Sequence, residues 1–266
     1  MNTTETQPTA DSSESAPVLK NVPGDYLLTA VWEKRAGYAR ALLGVYAATS
    51  LALGAVFGPY MIAVAVGIMG AIMIAGWPNL LSLPTRFIPR VLLTLLAVTL
   101  IVTALFGTVA HTAIVGAASI IAAFIAEMFR TDGRPRLIEQ LSGGFAGAVV
   151  LMSGSLWIHA MRLGQGKSIA IVAAITLTIV ALMHAFDSLA ARIAGFVNGI
   201  AFALGFAYLT QVPLDSAFVI GVCVAGAYLL SARAVEHMPK PSQPLSGAAR
   251  AMIPPLAVGV VVLIAS

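Results

Sequence analysis

Ionisable and amide side chains set beside long apolar runs are where chemistry is sought first. A charge at membrane depth is costly and is kept where it works. The stretch "LMHAFDSLAARIAGFVNG" holds the richest such group: His184, Asp187, Arg192 and Asn198. His184 and Asp187 are three residues apart, so a helix places them on one face. The four together could relay a proton or hold the polar part of a substrate, which makes them candidates for a gate or substrate path. The plainer alternative is that Asp187 and Arg192 bound a tight turn and pair with each other or with water.

A second group lies in "EMFRTDGRPRLIEQLSGG". Arg130, Arg134 and Arg136 offer guanidinium forks of the kind that bind a phosphate or an anionic headgroup. Glu127 stands nearest the apolar run and three residues from Arg130, an ion-pair spacing on a helix. Asp132-Gly133 marks a turn. Here the alternative is a solvated loop that records only charge bias.

Two more histidines fall at predicted helix ends. His111 stands in a turn, and His159 stands beside Trp157 and Arg162. Both read as residues of an interfacial aromatic belt. Two pairs of glycines at four-residue spacing, Gly143 with Gly147 and Gly195 with Gly199, put small faces on two helices and predict close helix packing. The sequence holds no phosphate-binding loop, no His-Glu-x-x-His, no Gly-x-Ser-x-Gly elbow and no Cys-x-x-Cys. No metal site or cofactor is expected, and a catalytic role is the less favoured reading. Cys223, the one cysteine, sits in an apolar run and reads as a small buried residue.

The elements that would carry these residues follow from composition. Of 266 residues, 59% are hydrophobic and 10% charged, with mean hydropathy +0.93. A soluble domain is roughly 45–50% apolar and about 25% charged. A soluble enzyme, a nucleic-acid-binding domain and a disordered chain are thereby excluded as readings of the whole chain. The net charge of +4 points to orientation and anionic lipid, with no nucleic-acid partner. The expected fold class is all-α, a polytopic integral membrane helix bundle. Continuous apolar runs such as "VLLTLLAVTLIVTALFGTV" argue against the alternating pattern of a membrane barrel.

Residues 1–24 have the Thr, Ser, Glu and Pro of a disordered polar tail. Residues 25–40 read as a basic amphipathic segment at the membrane interface. Residues 41–266 form one transmembrane domain whose first span acts as an uncleaved anchor. Nine spans are expected, at 41–57, 59–77, 91–109, 111–129, 141–161, 168–186, 193–210, 216–232 and 249–265. The first two are separated by Gly58-Pro59, and the last is kinked by Pro254-Pro255. With the N-terminus cytoplasmic, thirteen of the fifteen basic residues fall on the inner side, and only Arg162 and Lys167 fall outside. Eight spans is the competing count. The setting this suggests is a bacterial plasma membrane.

The order of features resembles the bacterial CDP-diacylglycerol synthase (phosphatidate cytidylyltransferase) family. In that family a basic cytoplasmic loop precedes a middle helix. An Asp at a helix end follows, then a small-residue helix, a polar loop and a final helix. Asp187 with "AARIAGFVNG" is similar to the family's Asp-x-x-x-Tyr-x-x-Gly region, and "SARAVEHMPKPSQPLSGAAR" occupies the place of its C-terminal signature. Within that loop only Ser231, Arg233, Lys240, Gly247 and Arg250 are loosely placed, and the family's metal-binding aspartates have no counterpart. The resemblance implies a divergent or inactive lipid-headgroup enzyme. Three functions are carried forward: a permease-like carrier of a small molecule or lipid, the divergent enzyme, and a non-catalytic partner of an envelope-building enzyme. Expected partners are anionic bilayer lipids and a membrane-protein partner or a second copy of the chain.

Overall fold

A computed structural model describes residues 23–129, 136–186, 188–238 and 243–266, without the side chains of 23–37, 40 and 41. Arg130, Arg134 and Asp187 therefore lie outside the described residues, as does Lys240. By internal contacts the chain divides into residues 1–35 and 36–266. The helix bundle and its polar groups belong to the second unit.

Every described element is helical: α1 (Pro23–Phe57), α2 (Pro59–Leu80), α3 (Phe87–Phe106), α4 (Val109–Met128), α5 (Leu137–Ala160), α6 (Gly166–His184), α7 (Leu189–Thr210), α8 (Leu214–Glu236), α9 (Pro244–Ala257) and α10 (Gly259–Ala265). Among the described residues, eight helices are long and apolar enough to cross a membrane, α9 and α10 together counting as one. The apolar part of α1, Leu42–Phe57, is shorter. Exposed Leu, Val, Ile and Phe side chains ring the bundle, as a lipid solvent permits.

The helix ends follow local chemistry. Gly58 stands at φ +115°, where a side chain is strained, and Pro59 then opens α2 at a position that needs no N–H. The turn lets α1 and α2 touch at Gly54, whose missing Cβ would lie 2.9 Å from the Ile62 backbone. Pro254 and Pro255 sit inside α9, and the helix breaks three residues later. Ser153 of α5 bridges the break. Its hydroxyl donates to the Ala257 carbonyl at 2.8 Å and accepts from the Val260 amide at 3.1 Å.

Two indoles tie the core together. Trp77 of α2 donates to the Gly143 carbonyl at 2.8 Å, and Trp157 of α5 donates to the Pro255 carbonyl at 3.2 Å. A Cβ at Gly147 would lie 2.9 Å from the Trp77 indole nitrogen, and one at Gly143 would lie 2.9 Å from Leu83. Both glycines of α5 thus receive α2 and the segment after it. Gly195 and Gly199 of α7 lie against Met183 and Val180 of α6 in the same way, at 2.9 and 2.8 Å. Small residues let the backbones approach, and dispersion across the contact holds them there.

Candidate functional site

The polar groups collect at helix ends that alternate direction along the chain. One face of the bundle therefore carries the C-termini of α2, α4, α6 and α8 and the N-termini of α3, α5, α7 and α9. On it, Arg192 of α7 grips Glu236 of α8 in a fork, with Nη2 to Oε1 at 2.8 Å and Nη1 to Oε2 at 3.3 Å. His184 Nε2 lies 3.7 Å from the same carboxylate, and its ring meets Tyr228 edge-on at 6.0 Å. Glu236 thus joins His184 and Arg192, a role the sequence reading did not give it. The signal was available: under the predicted topology Glu236 is the carboxylate that closes span eight on the same side.

Asn198 does not join this group. It lies on the exposed side of α7, while Gly195 and Gly199 face inward. Six residues from Arg192, it is turned about 240° around the helix. The side chain makes no hydrogen bond with any described residue.

The second group surrounds a cavity. Between α3, α4 and α5 runs a groove of about 270 Å³ lined by Leu92, Leu93, Leu96, Ala118, Ala122, Ala123, Gly144, Phe145 and Ala148, among others. Glu127 and Gln140 lie at its mouth and are only 5% and 3% exposed. Gln140 latches the α2–α3 connection to α5. Its Nε2 donates to the Thr85 hydroxyl at 2.7 Å, and its Oε1 accepts from the Thr85 amide at 3.4 Å. Arg136 lies on the surface, paired with Glu139 and donating to the Ser82 carbonyl at 3.2 Å. The hydrogen bond and charge of Glu139 hold the Arg136 pKa above its ordinary value.

α4 is fastened to α5 at the end of the groove away from Glu127. At the far end, Thr112 and His159 share a 2.7 Å hydrogen bond, and Gly116 admits the Met152 sulfur at 2.4 Å from where a Cβ would stand. His159 is therefore buried, contrary to its expected place in an interfacial belt. Its neighbour Arg162 caps α3 instead, donating to the Ala104 and Gly107 carbonyls at 3.0 and 2.6 Å. His111 does lie at the surface, where Thr108 and His111 form the capping box of α4. Nearer the mouth, Phe124 and Phe145 meet at 5.8 Å and close the α4–α5 side. Leu95, Thr99, Ala118 and Ala122 are exposed, so the groove opens sideways between α3 and α4.

The groove could not be foreseen in its detail, because it depends on how three helices pack side by side. Glu127 alone was marked by sequence, as a carboxylate at the end of an apolar run. Among the described residues, no three His, Cys, Asp or Glu side chains come together as metal ligands would. Cys223 is exposed on α8, not buried. Compared with known proteins, the chain matches no family model, no curated protein and no solved structure.

Proposed function

We propose that this multi-pass membrane protein is a permease-like carrier of a small molecule or lipid, set in a bacterial plasma membrane with its N-terminus cytoplasmic. The observation that carries this reading is the laterally open groove between α3, α4 and α5, with Glu127 buried at its mouth. Binding sites combine an apolar body with a few placed polar groups, and a buried carboxylate at the end of an apolar helix is such a group. The linked ends of α6, α7 and α8 at His184, Arg192 and Glu236 supply a polar gate on the same face, and Asp187 belongs to it by sequence. With no nucleotide-binding motif in the chain, an ion gradient or a partner subunit supplies the energy.

The test starts with thermal stabilisation of the purified protein by a panel of solutes and lipids at two pH values, since preferential binding to the folded state raises Tm. Uptake of the stabilising compound into proteoliposomes is then measured. Glu127→Gln is expected to cut that uptake at least tenfold without loss of membrane insertion. Full uptake by this variant overturns the assignment of Glu127.

A non-catalytic partner role has one observation in its favour. Asn198 lies about 14 Å into α7 by helical rise, on the side the bundle leaves uncovered, with its amide unsatisfied. In hydrocarbon an amide gains by hydrogen bonding to another helix.

A further inference from the structure

The groove says more about its occupant than the carrier reading requires. Its polar wall groups are already used inside the protein. The Thr99 hydroxyl donates to the Leu95 carbonyl at 2.8 Å, the Ser119 hydroxyl to the Gly116 carbonyl at 2.6 Å, and the Gln140 amide to Thr85. Most of the wall is hydrocarbon and its hydroxyl protons are already engaged, so a polar solute in the shaft would recover little of its lost hydration. The length is also informative. Lining residues of α4 run from Val115 to Glu127, about 18 Å by helical rise. That is close to one leaflet of a hydrocarbon core about 30 Å thick. The side opening faces the bilayer, and among the described residues the charge on the lining, Glu127, stands at the helix ends, where headgroups lie.

We propose that the groove holds one hydrocarbon chain of a bilayer glycerophospholipid, drawn sideways from the leaflet on the Glu127 side, with the glycerol and headgroup at the Glu127 mouth. The proposal rests on the carrier reading for its purpose and names its cargo. A free fatty acid would place the same kind of chain in the shaft and is the alternative that competition by palmitate tests.

Gly144 supplies the test. It lines the groove, and a Cβ there would meet nothing within 4 Å. Gly144→Leu therefore extends into the shaft from a position with room for a Cβ, and adds helix propensity. The probe is phosphatidylglycerol with a diazirine at mid-chain, in nanodiscs holding the full-length protein. Photo-crosslinks to 92–99, 115–123 and 141–148 should exceed those to the exposed side of α7 at least fivefold. G144L should lower them at least fivefold, and excess palmitate should not compete. Labelling spread evenly over the lipid-facing surface, unchanged labelling in G144L, or competition by palmitate overturns the proposal. If G144L fails to insert, the map on the unsubstituted protein decides alone. Lipid bound in the groove with no uptake of any compound would sink the carrier and leave this inference standing. Solute uptake that persists in G144L, with labelling spread evenly, would do the reverse.

Discussion

At the scale of single residues, hydroxyls and glycines hold the bundle where helices are interrupted. Ser153 is the clearest case, because one hydroxyl serves a carbonyl and an amide across the α9–α10 break. Removing it leaves a part-buried carbonyl and an amide near the bundle surface without this partner. Ser153→Ala is expected to cost about 1–3 kcal/mol, which lowers Tm by about 2–10 °C for a chain of this size. Thermal unfolding in detergent checks this, and an unchanged Tm would show that the break satisfies itself. Gly259 stands at the same junction and cannot be replaced cheaply, since a Cβ there would lie 1.9 Å from the Ser153 carbonyl oxygen. By contrast, the ion pair of Arg192 with Glu236 is partly exposed and adds little to stability. Its interest lies in joining three helices at the polar face.

At the scale of elements, the helices were legible and their lateral fit was not. From α2 onward each described span begins and ends within a few residues of its apolar run, because in hydrocarbon a backbone must satisfy itself as a helix for the whole crossing. By contrast, α1 is one helix from Pro23 through the segment read as separate. Gly58-Pro59 and Pro254-Pro255 were readable for the same local reasons. What could not be read was how α4 packs on α5. Gly116 accepts Met152 and Thr112 bonds His159, contacts that join residues 36 and 47 positions apart. Gln140 and Gly144 become groove residues only through the packing of α3, α4 and α5. Asn198 shows the opposite lesson, since helical periodicity alone separates it from Arg192. The uncovered side of α7 also carries Ala201 and Gly205 beside Asn198. If that face seats another helix, Asn198→Ala should reduce the cross-linked oligomer in membranes at least threefold and leave Tm of the monomer nearly unchanged. An unaltered oligomer ladder would remove Asn198 from any interface.

At the scale of the whole molecule, charge separates the two faces. Among the described residues, Arg86, Arg90, Arg136, Arg192, Arg233 and Arg250 stand at one set of helix ends, and Arg162 and Lys167 at the other. The positive-inside rule turns this into an orientation. In a Cys223→Ser background, a cysteine introduced by Gly164→Cys should react with an impermeant maleimide added outside intact cells. One introduced by Ser82→Cys should react only after the membrane is opened. The reverse pattern would invert the proposed orientation and place the mouth of the groove in the outer leaflet.

The contact between α2 and α9 bears on how the protein is made. Gly76 accepts α9 so closely that a Cβ would stand 2.2 Å from the Leu245 carbonyl, and Asn79 bonds Gln243 across 164 residues of chain. At roughly 5–20 residues per second, a ribosome takes on the order of 10 s to cover that distance. Through that interval the close contact at Gly76 cannot exist, because α9 has not been made. Assembly of this bundle therefore finishes with the docking of α9 on α2, well after the early hairpins have been made.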